Sequence, residues 1–561
     1  PECEGTRLNP IARNVILFGA GGTRMSLPQI LELTAMAAAK FLRSISVKKE
    51  SRPIVEAILP EILERLSFMR RVGLDYLALN RETSSLSGGE SQRIRLAGQL
   101  GSNLSGVLYV LDEPSIGLHP KDNQRLLDSL RDLQARGNSL VVVEHDQETI
   151  LQADYLIDVG PEAGRRGGDI IDAGSPAKVM KNKISATATH LREVIKHPLK
   201  GEWRKLPRKD SLKWLRLTGV KFRNLKNIDA QIPLARLTVC CGVSGSGKSS
   251  LIRGVLLEGV KASMTNGKKT ITEHSYILRN GKVFGKAIEV TQDPIGKTSR
   301  STPATYLGVW NRIRDMIASL PEAKRKGFGP SDFSFNVKGG RCEVCKGAGK
   351  VKVEMNFLPT SYVPCEQCGG RRYRDEILEL VWKGKNIADM LEFTFTEAAE
   401  FFSFDYYLKE TFSLMVEAGL GYLRLGQISP TLSGGEAQRL KLASELARGI
   451  DKGKHGRGAT AKPNLYILEE PTIGLHPSDT LKLIGMLHRL VDEGNTVVVI
   501  EHDVDVISEA DYLIELGPGG GAKGGSLLYQ GSARKILDNG KSNTRAFLKG
   551  IAKGIDSKEG S

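Results

Sequence analysis

No run of about 18 apolar residues occurs in the 561-residue chain, so no bilayer-spanning helix is expected. No charged segment followed by an apolar core opens it, so a secretory signal is not expected either. Cysteine is scarce, at seven, too few for a secreted disulfide framework. Four of the seven carry metal-ligand spacing, and a reducing cytoplasm is the expected setting. Aromatic side chains make up 6% of the chain, which does not suggest a stacking platform for single-stranded bases. Long heptad arms are missing, which argues against a rod-like DNA machine. Acid is in deficit: 80 Lys+Arg face 64 Asp+Glu, giving a formal +16 and an isoelectric point near 9.4. Such a surplus suits a polyanionic partner, because basic side chains on phosphates release condensed counterions; a solvated basic surface is the plainer alternative. The basic residues gather at 181–226 and 452–462. With 40% hydrophobic residues over this length, several cores are expected.

The most telling shortage is of phosphate-binding loops. The motif Leu-Ser-Gly-Gly-Glu occurs twice, at 86–90 and 432–436, but a P-loop occurs once, as Gly242-Val243-Ser244-Gly245-Ser246-Gly247-Lys248-Ser249. Ser87 and Ser433 lie 346 residues apart, and the same offset relates Tyr76 to Tyr422. Further on, Asp112-Glu113-Pro114 answers Glu469-Glu470-Pro471, and Glu144-His145-Asp146 answers Glu501-His502-Asp503, both at an offset of 357. The eleven extra residues of the second copy fall in the Gly/Lys-rich stretch 449–463, which reads as a solvent loop. Motifs repeated in one order mark duplicated modules, here one and a half of them. Apolar runs at 107–111, 140–143, 237–241, 465–468 and 496–500 read as buried parallel strands. Helical stretches at 123–135 and 479–493 alternate with them, which predicts an α/β core.

The P-loop follows a strand and precedes the helical run 251–257, the context that phosphate binding needs. Gly242, Ser244, Gly245 and Gly247 would turn backbone N–H groups toward phosphates, with Ser250 beginning the helix. Lys248 would bridge the β- and γ-phosphates, and Ser249 would bind Mg²⁺. Glu469 is expected to hold Mg²⁺ through water and Glu470 to act as general base. His502 is expected at the γ-phosphate and Gln292 between the metal and the segment that follows. Glu469 stands where an aspartate is usual, and its extra methylene lengthens the arm by about 1.5 Å.

A signature loop at a helix start offers N–H groups to phosphate. In ABC-type ATPases, which these motifs resemble, it acts on nucleotide held by the opposite module. Ser87, Gly88 and Gly89 would therefore close over ATP at Lys248. Asp112, Glu113, His145, Ser433, Gly434 and Gly435 are left as a half-site for a P-loop that the sequence does not contain. Cys342, Cys345, Cys365 and Cys368 form C-x₂-C-x₁₉-C-x₂-C, the spacing of a closed structural Zn²⁺ site, with 351–363 alternating like a hairpin.

A cysteine module inserted between P-loop and signature is rare among ABC ATPases. Together with Cys3-Glu4-Gly5-Thr6-Arg7-Leu8, the blocks at 292–306 and 333–345 and both signatures, it resembles the UvrA family. That resemblance covers about residues 1–550 and implies ATPase subunits of the bacterial excinuclease, working with ATP, Mg²⁺ and Zn²⁺. It implies dimers that inspect duplex DNA for damage and pass it to a UvrB-like partner, in the cytoplasm and without a membrane. Lys297, Arg300 and Ser301 match family positions that touch the DNA backbone, and 354–362 matches a hairpin that influences damage discrimination.

The expected class is thus α/β: tandem ABC-type ATPase domains, the first incomplete, with a zinc-binding signature domain inserted in the second. Residues 1–84 would be the remnant of a first signature or insertion domain and 85–182 the C-terminal half of the first ATPase domain. A basic linker follows at 183–213, then the P-loop part at 214–290, the insert at 291–430, the second signature part at 431–553 and a tail at 554–561. A first residue other than Met and an unpaired Cys3 suggest that an N-terminal part, with the partner-docking domain, is missing. Two other readings compete: a UvrA-like paralogue for resistance to DNA-binding drugs, and a transporter ATPase, which the cysteine module disfavours.

Overall fold

The computed structural model describes residues 5–83, 86, 88–100, 105–115, 118, 120–161, 167–192, 203–208, 211–267, 270–273, 276–296, 298, 300–353, 361–452, 462–545 and 548. At its centre is a six-stranded sheet in the order Ala287–Val290, Leu465–Glu469, Thr496–Ile500, Leu237–Gly242, Tyr512–Gly517, Ser526–Gly531. The first five strands are parallel and the last is antiparallel. Uninterrupted apolar runs buried on both faces are what parallel strands between layers require, and the P-loop strand is buried along its whole length. One face carries the core Leu251, Ile252, Val255 and Leu256 of the helix after the P-loop. The other carries the helices Gly434–Lys452 and Pro477–Asp492 and runs into the insert.

The duplication is visible in the register. Leu108–Asp112 pairs in parallel with Ser139–Val143, and Leu156–Gly160 pairs antiparallel with Asp169–Gly174. Their counterparts 357 residues on pair in the same register, down to a shared irregularity at Asp158/Val159 and Glu515/Leu516. In the second module the P-loop strand lies between these two strand pairs and joins them. In the first module the pairs stand as two separate two-stranded sheets among the described residues. Val110 and Val159 are accordingly 68% and 62% exposed, whereas their counterparts Ile467 and Leu516 are buried. The two strand pairs of the first module are thus apart where the second module has its P-loop strand.

Three features were not foreseen. An antiparallel sheet, ordered Thr270–Glu273, Tyr276–Arg279, Trp214–Val220, Ile228–Pro233, packs beside the P-loop helix. The stretch read as a linker at 183–213 contains a helix, Ala186–Arg192. Its later part is fastened down: the Trp203 indole donates to the Ser508 carbonyl at 2.9 Å, and Arg204 pairs with Asp492 at 2.6 Å and Asp511 at 3.2 Å. The insert is a helical body around Trp310, Phe333, Phe335, Tyr373, Phe395, Phe402 and Phe412, so the few aromatics are concentrated in one core. The loop 453–461 lies outside the described residues.

Candidate nucleotide site and cysteine cluster

The P-loop closes the end of its strand with Gly242, Gly245 and Gly247 at φ of 131°, 72° and 105°. Only glycine enters these regions without strain. A Cβ on Gly242 would also strike the Leu516 carbonyl oxygen at 2.1 Å, and one on Gly247 the Leu225 side chain at 2.7 Å. The loop is braced from outside: Asn224 donates to the Gly245 carbonyl at 3.1 Å, and the N–H groups of Gly521 and Gly525 bond the carbonyls of Gly245 and Ser246 at 2.9 Å each. Ser244 is buried in the loop, and Ser250 opens a widened, π-type helix over Ser250–Leu257, continued by the helix Glu258–Thr265.

Lys248 is buried, and its ammonium donates to the Gly242 and Val243 carbonyls at 2.9 and 3.1 Å. Burial lowers its pKa, opposed chiefly by Glu470. Ser249 is exposed and donates to Glu469, whose other oxygen pairs with Arg253 at 2.8 Å. A hydroxyl and a carboxylate side by side next to a phosphate cradle fit Mg²⁺, which takes oxygen ligands and retains several waters. Arg253, which also pairs with Glu289, holds the long Glu469 side chain at that point.

Glu470 leaves its strand at φ 44°, a strained conformation for a non-glycine residue that its counterpart Glu113 shares at 45°. Burial raises the Glu470 pKa, against the pull of Lys248 and Arg93. Its carboxylate is 3.6 Å from His502 Nε2, and its carbonyl accepts from Gln292 at 3.1 Å. The His502 pKa is pushed well down by burial, then by Lys248 and Arg93, which keeps the ring neutral. A neutral imidazole beside a carboxylate can donate one hydrogen bond to a phosphate oxygen without competing for the base's proton. The first module repeats the pair, with Glu113 3.6 Å from His145, Glu113 raised and His145 lowered chiefly by burial.

Two carboxylates were passed over in the sequence. Buried Glu501 accepts from the N–H groups of Thr472, His502 and Asp503 at 2.9, 2.6 and 3.0 Å, which sets the turn carrying His502. Glu144 does the same for Ser115, His145 and Asp146. The signal was the repeat of Glu-His-Asp itself, in which only the histidine was assigned. Arg93 was missed as well. It is buried on the helix Gly88–Leu100, near enough for its charge to bear on both Glu470 and His502.

Glu90, which also bears on Glu470 by its charge, lies on the same helix as Arg93. Gly88 and Gly89 begin that helix, and Ser87 lies outside the described residues. In the second signature, the Glu436 N–H bonds Ser433 Oγ at 3.2 Å, and a Cβ on Gly434 or Gly435 would meet Gln292 or Leu475 near 3.2 Å. Asp112 ends its strand beside Glu113, whose carboxylate lies against Gly474 of the other module. His145 meets His476 edge-on at 6.2 Å.

The four cysteines are buried together, with sulfurs within 4.8 Å of one another. Cys342 and Cys365 are 4.0 Å apart and Cys345 and Cys368 3.8 Å. Tetrahedral bonds of about 2.3 Å would place sulfurs about 3.8 Å apart, so the donor set fits Zn²⁺. The Gly349 N–H points at Cys345 Sγ from 3.3 Å, as in a metal knuckle, and burial pushes the Cys368 thiol up to about 12. From this module Lys350–Val353 and Ser361–Pro364 project as an antiparallel hairpin; its tip at 354–360 is outside the described residues. Arg300 and Ser301 are half-buried, Ser301 accepting the Ser429 N–H at 2.8 Å through its carbonyl. Lys297 is outside the described residues.

A UvrABC system protein A from Thermus thermophilus is 49% identical over 553 residues, covering 98% of this chain and 56% of that protein. The one from Brucella melitensis is 48% identical over 551 residues, covering 98% and 55%. Among solved structures, UvrA2 from Deinococcus radiodurans superposes with a TM-score of 0.86 at 41% identity, covering 98% of this chain and 66% of that one. The chain spans about half the length of the curated relatives it matches. No family model matches it.

Proposed function

Because the chain belongs to the UvrA family of ABC-type ATPases, we propose that it hydrolyses ATP at one composite site and couples that cycle to binding damaged duplex DNA in nucleotide excision repair. The observation that carries this reading is Lys248 buried in the P-loop, with Glu470 and His502 paired at 3.6 Å and both within reach of its charge. Lys248 and the loop N–H groups would hold the phosphates, and Ser249 and Glu469 the Mg²⁺ that neutralises their charge. Glu470 would draw the proton from the attacking water, with Gln292 fixing its backbone and His502 bonding the terminal phosphate. The cysteine cluster would hold Zn²⁺ as a structural ion.

The expected partners are damaged duplex DNA and, for the full-length protein, a UvrB-like protein and a second copy, in the cytoplasm. Among the described residues no helix is long and apolar enough to cross a membrane. The drug-resistance paralogue is the weaker alternative, since the curated relatives at 48–49% identity carry the name of the UvrABC system.

DNA binding at Lys297 and Arg300 has a measurable signature. The affinity for a lesion-containing duplex should fall about tenfold or more between about 50 and 200 mM salt, and K297A/R300A should reduce the log–log slope by about two. Filter binding or anisotropy across salt reads both. An unchanged slope in the double variant removes these two residues as phosphate contacts.

A further inference from the structure

Tyr76 entered above only through its match to Tyr422 in the repeat, yet it bridges the two modules. Its ring lies over the P-loop: a Cβ on Gly245 would come within 2.6 Å of Cδ2 and 2.7 Å of Cε2. It also lies against the bracing turn, where a Cβ on Gly520 would meet its Cγ at 3.0 Å and one on Gly521 its carbonyl oxygen at 3.0 Å. At the other end the hydroxyl donates to Glu90 Oε1 at 2.5 Å. Glu90 is the last residue of the first signature and sits one helical turn before Arg93; both are buried. Their charges act on Glu470 in opposite senses, Arg93 favouring its ionised form and Glu90 disfavouring it. Burial and the neighbouring Glu90 keep the phenol protonated, so it acts as a donor throughout the working range.

The second repeat provides a built-in comparison. Tyr422 donates to Glu436 Oε1 at 2.6 Å, the same pair at the same spacing. Arg439 and Asp479 bear on Tyr422 where Arg93 and Arg81 bear on Tyr76, and the P-loop glycine Gly245 lies against Tyr76. The local bond is therefore common to both signatures, while the seat on a phosphate loop is found at Tyr76.

We propose that Tyr76 is a positioning residue for ATP hydrolysis, seating the first signature helix on the P-loop through its ring and holding Glu90 through its hydroxyl, so that Arg93 faces Glu470. The assignment rests on the ATPase reading above and adds to it the residue that joins the two halves of the site. The hydroxyl bond ties up the Glu90 carboxylate. Without it, the Glu90 carboxylate loses one of its holds and shifts toward Arg93 and Glu470, and the base is harder to keep ionised.

The test is steady-state ATP hydrolysis by the 561-residue chain across pH, with Y76F, Y76A and Y422F beside the parent. Y76F keeps the ring, so KM for ATP should stay within about twofold, while kcat falls about tenfold, the scale of one hydrogen bond to a charged group. Its acid limb should move to higher pH, because a less favoured Glu470 carboxylate takes up its proton earlier. Y76A loses the seat as well and should raise KM on top of lowering kcat. Y422F should change kcat less than Y76F. A Y76F enzyme with the parent's kcat and pH profile overturns the assignment, as does a Y422F loss equal to that of Y76F, which would make the pair a staple of each signature helix. A parent without turnover overturns the ATPase reading itself.

Discussion

E470Q should lower ATP turnover by about 10²–10⁴-fold, the range that general-base catalysis contributes, while nucleotide binding is kept. The amide matches the carboxylate in size, leaves the backbone bond from Gln292 to the Glu470 carbonyl in place and spares Lys248, so the loss isolates the proton-accepting role. A pH signature accompanies it. Burial raises the Glu470 pKa, and the carboxylate works only when ionised, so turnover should fall with acid through a midpoint above the ordinary glutamate value. Burial pushes the His502 pKa well below its ordinary value, so any limb from its protonation is displaced to the acid side of the ordinary histidine range. The acid limb should be present in the parent and absent from the residual activity of E470Q. Nucleotide binding read by a fluorescent analogue, with single-turnover hydrolysis across pH, checks both statements. Parent-like turnover in E470Q would remove Glu470 as the base.

The parts of this site readable from the sequence are those in which the chemistry dictates the residue. The P-loop glycines answer to φ values and close contacts that no side chain satisfies, the cysteine spacing to the geometry of a knuckle, and Glu470 and His502 to strand ends repeated at one offset. The supporting residues are legible only in three dimensions. Glu501 acts by accepting three backbone N–H groups, Arg93 by charge across the module boundary and Tyr76 by covering a glycine about 170 residues away in sequence; the repeats mark Glu501 and Tyr76 but not what they hold. The fold divides the same way. Apolar runs disclosed the parallel strands, because strands buried on both faces need no polar alternation. The antiparallel sheet alternates less clearly, with Trp214 and Leu215 both buried, and the helix Ala186–Arg192 is too short for its periodicity to stand out from a basic stretch.

C365S/C368S should abolish zinc binding, taking the chain from one Zn²⁺ to none, and release the part of the insert that the ion holds. Four buried sulfurs within 4.8 Å of one another are a poor arrangement without a cation to hold them together. Binding energies for structural zinc of about 10–16 kcal/mol in small domains are of the size that decides whether such a module folds. The damage should travel, because the cluster is tied into the insert's core. The Cys342 N–H bonds the Arg372 carbonyl at 2.8 Å, and the buried Arg372 guanidinium stacks on Phe335 at 5.1 Å and donates to the Gly426 carbonyl at 2.8 Å. Tyr373 next to it donates to the Phe333 carbonyl at 3.0 Å. Gly426 lies only a few residues before the second signature, so loosening should spread from the cluster toward that loop rather than toward the P-loop, which is braced separately by Asn224 and the turn at Gly521–Gly525. Metal analysis should find the zinc lost, and limited proteolysis should cut the variant within 340–375 at protease levels that spare the parent. Nucleotide binding at Lys248 should survive. A variant that keeps one zinc, or is as protected as the parent, would show that the four sulfurs do not hold this part of the insert together.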